Sequence, residues 1–233
     1  MCTGYVLPND YQNLFPGVEL NIPGFAPGQP VRLFDSAPIV KSNSELRPEL
    51  VKADIWSLIP SWSNTRKPSY SSFNARIERL SSSNLWKTVF PKNRCLVPAH
   101  GFFERVPEKG SKKKRPYFVQ YRDEAQFCFA GLWSEWTDRS TGEVLLTYTV
   151  VTTSNNSLME TIGHHRMPCI VQPDKYDLWL DPEIDDKELL VATIVQPEKS
   201  SQLQAHPVGY AINYRNEYGP HVVEPIGEVV TVD

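Results

Sequence analysis

The sequence predicts an α+β fold: a single domain, mostly antiparallel β-sheet or a barrel-like core, with a few flanking helices. Three observations carry this. Apolar runs are short, rich in Val, Ile, Tyr, Phe and Thr, and mostly bounded by Gly, Pro, Asn or Ser. Twenty prolines against twelve glycines favour strands and ordered loops over helical bundles. No Gly/Ser linker, internal repeat or low-complexity tract interrupts the 233 residues, so the whole span 1–233 is read as one domain.

Taken in chain order, strands are expected at Lys52–Leu58, Arg94–Pro98, Tyr117–Tyr121, Phe127–Trp133, Leu145–Thr152 and Cys169–Val171. The strand at Arg94 runs on into His100-Gly101-Phe102-Phe103-Glu104. Thr137–Glu143 has turn composition between two β-type runs and predicts a hairpin. Ser111–Pro116 is a second loop, with four consecutive cations from Lys112 to Arg115. Helical spacing is found at Ile77–Val89, Asn155–Ile162, Pro173–Leu180 and Asp185–Thr193.

The 24 basic and 27 acidic residues give a net charge of −3. That excludes a globally basic nucleic-acid coat but leaves room for a local basic cleft. No apolar run reaches the ~18 residues of a membrane span, and MCTGYVLPNDY lacks the basic and apolar regions of a signal peptide. A soluble protein of a reducing, cytoplasmic compartment is expected. Cys95, Cys128 and Cys169 lie in apolar runs and read as core thiols, and there is no CxxC pair to suggest a zinc site. No metal or other cofactor is expected.

Cys2 is different. If Met1 is removed, one residue carries both a free α-amine and a thiol. The amine has a pKa of ~7.8, against ~10.4 for lysine, so at neutral pH a useful fraction is unprotonated. It can attack an aldehyde to form a Schiff base, and the thiol can then close a thiazolidine ring. Four further motifs carry chemistry. FNAR offers Asn74, an amide suited to orienting a nucleophile or sugar hydroxyl, and Arg76, suited to a phosphate. HGFFE places Glu104 in a strand, where burial would raise its pKa and fit it for acid–base work. GHHRMP supplies His164 and His165, of which one at most points into a given site, followed by Arg166. WSNTRK sets Trp62 beside Arg66 and Lys67, a stacking platform for unpaired bases.

Together, MC at the start, WSLIPSW, FNAR, RCLVPAHGFFE, FAGLWSEW, TYTVVTT, IGHHRMP and AHPVGYAIN resemble the SRAP (SOS response-associated peptidase) family, in family order from Cys2 to about Asn213. The resemblance implies a DNA-damage protein that crosslinks to abasic sites in single-stranded DNA. Cys2 would be the nucleophile, Asn74 would hold the cysteine or the opened sugar, and Glu104 would assist proton transfer. The histidine two residues before the arginine of H-x-R is His164, leaving His165 as the variable position. Trp62, Arg66, Arg76 and Arg166 would meet DNA or organise the site. The implied protein is a monomer, cytoplasmic and nucleoid-associated when bound to damaged DNA, with SRAP-type crosslinking or thiol-peptidase activity. The chain departs from the family where MCGR is usual, having Thr3-Gly4-Tyr5, and where Gly24-Phe25 precede Ala26-Pro27. It also has Trp62-Ser63 where some members carry two tryptophans. Two other readings compete. One is an autocatalytic N-terminal-nucleophile or Cys-His peptidase. The other is a non-catalytic binder of single-stranded or modified DNA, using Trp62, Arg66, Lys67 and the Lys112–Arg115 run.

Overall fold

The computed structural model describes residues 2–16, 23–67, 70–108, 110 and 112–233. Met1, whose removal the chemistry of Cys2 requires, and Ser111, which opens the basic loop, lie outside them. Among the described residues fifteen strands form: β1 Gly4–Val6, β2 Pro30–Arg32, β3 Ala37–Ser42, β4 Pro48–Ala53, β5 Ile55–Trp56, β6 Asn74–Arg76, β7 Arg94–Ala99, β8 Gly101–Pro107, β9 Lys114–Tyr121, β10 Phe127–Thr137, β11 Val144–Ser154, β12 Arg166–Pro168, β13 Ile170–Val171, β14 Leu203–Pro207 and β15 Val230–Thr231. Three short α-helices follow β11: α1 Ser157–Thr161, α2 Tyr176–Leu180 and α3 Lys187–Ile194. No helix among the described residues is long and apolar enough to cross a membrane.

The strands make two sheets. One runs β15-β14-β9-β8-β1-β2; the other runs β12-β11-β10-β7-β3-β4, with β13 on β10 and β5 and β6 on β11. All pairings are antiparallel except those of β5 and β6 with β11. This is the expected mostly antiparallel α+β fold, but the barrel-like alternative does not form. The edges are too short to close on one another, β2 having three residues and β15 two.

The alternation of β10 explains the layering. Phe127 and Phe129 join Tyr5, Val31, Phe102 and Val119 of the first sheet in a core between the sheets. Cys128, Ala130 and Leu132 face the other way, against Trp86, Phe90, Tyr176, Trp179 and Leu190. A strand buried on both faces reads as the continuous apolar run FCFAGLW. On the far side of the first sheet, Val6, Phe103 and Phe118 pack on Val208, Ile212 and Val222. Cys95, Cys128 and Cys169 are buried core thiols, as expected.

Three expectations need correction. The loop expected at Ser111–Pro116 gives way at Lys114, where β9 begins and pairs with Pro107 of β8. Ile77–Val89 is not an α-helix: a single 3-10 turn at Ile77–Arg79 gives way to successive turns. The run Ser81-Ser82-Ser83-Asn84 is responsible, with the Ser83 hydroxyl accepting from the Leu85 N–H and so competing with helical bonding. The strand expected at Lys52–Leu58 breaks at Asp54, which exchanges hydrogen bonds with the Leu146 backbone. The chain then changes partner, from an antiparallel edge with β3 to a parallel pair with β11. The predicted turn at Thr137–Glu143 does join β10 to β11, with Asp138 closing it through Ser140 and Glu143.

Candidate active site

The site is assembled around Cys2 by register. Antiparallel pairing of β1 with β8 sets Tyr5 opposite Phe102 and Val6 opposite Gly101, so the start of the chain runs beside Glu104. Phe102 faces the core between the sheets, and a strand's period of two turns Glu104 the same way. Glu104 is 1% exposed. Cys2 is fully buried in that core, its thiol donating to the Gly4 carbonyl at 3.3 Å. Burial pushes the thiol pKa well up, and the charge of Glu104 pushes the same way.

Asn74 opens β6, not a helix. The parallel register of β6 on β11, with Asn74 beside Val150, carries its amide Nδ2 to the Cys2 carbonyl at 2.7 Å. Its Oδ1 is buried and has no hydrogen-bond partner among the described residues. An acceptor left open there, on the amide that holds the Cys2 carbonyl, can take an N–H or a hydroxyl.

His164 lies between α1 and β12, fixed by its own backbone: its N–H donates to the Met159 carbonyl and its carbonyl accepts from Asn155. Its ring bridges two groups, Nδ1 at 2.8 Å from the Arg166 carbonyl and Nε2 at 3.1 Å from Glu104 Oε2. A carbonyl can only accept, so Nδ1 carries a proton and Nε2 faces the carboxyl group. Burial raises Glu104 to about 7 and lowers His164 to about 4. Both shifts have one consequence: near neutrality the pair holds a neutral imidazole whose Nε2 accepts from a protonated or half-protonated Glu104. The arrangement can therefore release and recover a proton at the pH of the cell. His165 is exposed and stacks on His164, with ring centroids 5.3 Å apart.

The residues expected to meet DNA divide. Arg166 is committed: its guanidinium forks onto both Glu78 oxygens at 3.1 and 3.2 Å and donates to the Thr152 carbonyl. Arg76 is exposed at the end of β6. Trp62 is 52% exposed and leans on Tyr70, ring centroids 6.4 Å apart, while Arg66 lies 3.5 Å from Glu143. The basic run Lys112–Arg115 packs on Tyr210, with Lys113 and Arg115 over its ring, and Arg115 also pairs with Glu108. Arg76 is thus exposed two residues from the buried Asn74, whereas Trp62 lies on a loop with Tyr70.

Sequence reasoning missed Arg105. It follows Glu104 on β8, reaches the Thr3 hydroxyl, and its charge is felt by both Cys2 and Glu104. The signal was there in FFER, where a cation directly follows the acid. A strand reading that attends only to the inward face passes over it.

Residues 1–215 match the SOS response associated peptidase (SRAP) family. The abasic site processing protein YoqW of Bacillus subtilis (strain 168) is 30% identical over 231 residues, covering 96% of this chain and 99% of YoqW. The abasic site processing protein HMCES of Xenopus tropicalis is 29% identical, over 73% of this chain and 56% of its own length. A crystal structure of a protein from Bacteroides thetaiotaomicron superposes with a TM-score of 0.80 at 24% identity, over 96% of this chain and 99% of that one, and shares the fold. With its characteristic residues gathered at one buried site and the match spanning nearly its whole length, the chain belongs to the SRAP family.

Proposed function

We propose that the protein captures abasic sites in single-stranded DNA as a covalent thiazolidine on Cys2. The observation that carries this reading is the convergence of Asn74, Glu104 and His164 on the residue that becomes the N-terminus once Met1 is removed. The ring-opened sugar presents an aldehyde. The Cys2 amine adds to its carbon, giving a carbinolamine. Glu104 protonates the departing hydroxyl, which leaves as water, and its carboxylate takes the proton of the resulting iminium nitrogen, so that an imine remains and Glu104 is protonated again. The thiol then adds to the imine carbon, its proton passing to nitrogen. Aldehyde, amine and thiol are thereby converted to a thiazolidine and one water. Asn74 Oδ1 would accept from the amine or from a sugar hydroxyl, and His164 Nε2 would accept from the Glu104 carboxyl and hold it in place. Trp62, Arg66 and Arg76 would guide the strand, and Arg166, paired with Glu78, would organise the site. The names of the relatives, abasic site processing proteins, support the substrate class.

The peptidase alternative is less well supported. A thiol peptidase acts through a thiolate, and the Cys2 thiol is fully buried with its pKa pushed up. Capture of an aldehyde by the amine needs no thiolate in its first step. A purely non-catalytic binder leaves the Glu104–His164 pair without a task. We read residues 1–233 as one SRAP-like domain, acting as a cytoplasmic monomer that joins the nucleoid when bound to damaged DNA.

The test is incubation of Met1-trimmed protein, verified by intact mass, with an oligonucleotide carrying one abasic site. A denaturation-resistant shift is expected from wild type and none from Cys2→Ala. An equal shift from Cys2→Ala would overturn the mechanism.

A further inference from the structure

Arg105 is the only cation on the strand that carries Glu104 through the site, and it is built in unlike a surface arginine. Its neighbours on β8 bury both faces: Phe103 packs with Ile212 beneath the first sheet, and Glu104 points between the sheets. The guanidinium is clamped from two sides. Nη1 donates to the Thr3 hydroxyl, and Nε and Nη2 donate to Asn213 Oδ1 at 3.1 and 2.7 Å. Thr3 adjoins the nucleophile, and Asn213 ends the 3-10 turn Tyr210–Asn213 that carries Ile212. Both partners are neutral, and no carboxylate forms an ion pair with Arg105 among the described residues.

A guanidinium has five N–H donors. Three bonds leave two of them open. The site therefore holds a positive charge within electrostatic reach of Cys2 and Glu104, with no carboxylate hydrogen-bonded to it among the described residues. Two other arginines differ: Arg166 is occupied by Glu78, and Arg76 is exposed at the end of β6. A fixed cation with spare, forked donors and neutral supports is the arrangement that binds a phosphate oxygen.

We infer that Arg105 is the backbone anchor of the site: it binds the phosphate beside the abasic sugar, with Thr3 and Asn213 holding its guanidinium in place. This rests on the reading that the substrate is abasic single-stranded DNA. It assigns the phosphate contact to β8, where the sequence pointed to Arg76 and Arg166. Thr3 and Asn213 are positioning residues; Arg105 alone would touch the ligand.

The experiment uses a single-stranded oligonucleotide with a tetrahydrofuran residue, which has the abasic backbone but no aldehyde, so binding is measured apart from crosslinking. Wild type, Arg105→Gln and Arg105→Lys are compared across a salt series. Arg105→Gln is expected to weaken binding about tenfold and to flatten the log–log salt dependence by ~0.7, the loss of one phosphate contact on a single strand. Arg105→Lys keeps the charge and should restore most of the salt slope but less of the affinity, because it cannot fork. In parallel, crosslinking to a true abasic strand is followed: the variant's loss should fall on the half-saturating DNA concentration more than on the saturated rate. Thermal melting checks that each variant is folded, and if Arg105→Gln is not, Asn213→Ala serves in its place, releasing the clamp with the same direction of change. An unchanged salt slope in a folded variant overturns the anchor, as does a loss confined to the saturated rate, which would make Arg105 an electrostatic partner of Glu104 instead. If wild type binds the tetrahydrofuran strand with an Arg105-dependent slope yet never crosslinks, the anchor stands and the capture chemistry fails. If wild type binds no DNA, the anchor is overturned too.

Discussion

At the scale of single residues, the proposed capture separates two jobs on Cys2. In it the amine makes the first bond and the thiol the second, so the two can be divided by substitution. Cys2→Ser keeps the amine but closes a ring much less readily, so it should give an adduct that borohydride reduction traps but that heat or acid releases. A heat-stable adduct from Cys2→Ser without reduction would show that ring closure by sulfur is not what makes the product durable. The Glu104–His164 pair sets the pH dependence. Capture by this route needs a protonated Glu104, which is lost as pH rises through about 7, and a free amine, which is gained as pH rises through ~7.8. The crosslinking rate should peak at about 7.4, between the two, and fall on both sides. Glu104→Gln should slow the reaction about 100-fold and remove the alkaline fall, leaving a rate that climbs to a plateau as the amine deprotonates. A retained alkaline limb in Glu104→Gln would assign that proton to another group.

At the scale of elements, β8 decides whether the site exists, and its first residue explains how it is seated. Gly101 lies where a Cβ would stand 2.3 and 2.7 Å from the Phe118 ring and 2.8 Å from the Val119 carbonyl on β9. Those neighbours belong to the adjacent paired strand and cannot simply turn aside, so Gly101→Ala must push β8 away from β9. A cost of about 2 kcal/mol is expected, lowering the melting temperature by ~4–8 °C for a domain of this size. Crosslinking should slow as well, because Glu104 is three residues along the displaced strand. An unchanged melting temperature would mean that the sheet accommodates the methyl elsewhere. How legible such elements were follows from the same physics. β10 and β11 were read from sequence because their runs are long and their turn chemistry explicit, and α1 because Asn156 caps it, accepting from the Met159 N–H. β1, β2 and β6 have three residues each and are held by neighbours far away in sequence, which local composition cannot reveal. Cys2, Asn74, Glu104 and His164 were named from residue chemistry and family resemblance. Their contacts depend on the β1–β8 and β6–β11 registers, which no local pattern encodes. Arg105 was missed for a related reason: its role comes from Asn213, 108 residues away.

At the scale of the whole molecule, charge and burial act in opposite directions on DNA. A net charge of −3 repels a polyanion, so on the proposed reading attraction would come from a few cations: Arg76, Arg105, Arg66 and Lys67. The proposed chemistry, by contrast, would take place where Cys2 and Glu104 are almost completely enclosed, and buried charges are screened little by salt. The two stages should therefore respond to salt differently. Binding to a single strand should weaken with a log–log slope of about −2 to −3, corresponding to three or four phosphates at ~0.7 each. The crosslinking rate at saturating DNA should change less than twofold between about 50 and 200 mM salt, since Debye screening acts on exposed pairs over ~10 Å and the Glu104–His164 pair is not exposed. Fluorescence anisotropy measures the first and single-turnover gel assays the second. A binding slope steeper than about −5 would mean a long basic footprint that the net charge argues against. A saturated rate that falls in step with affinity would place the proton transfer in solvent, and the enclosure of Glu104 would then have no part in the reaction.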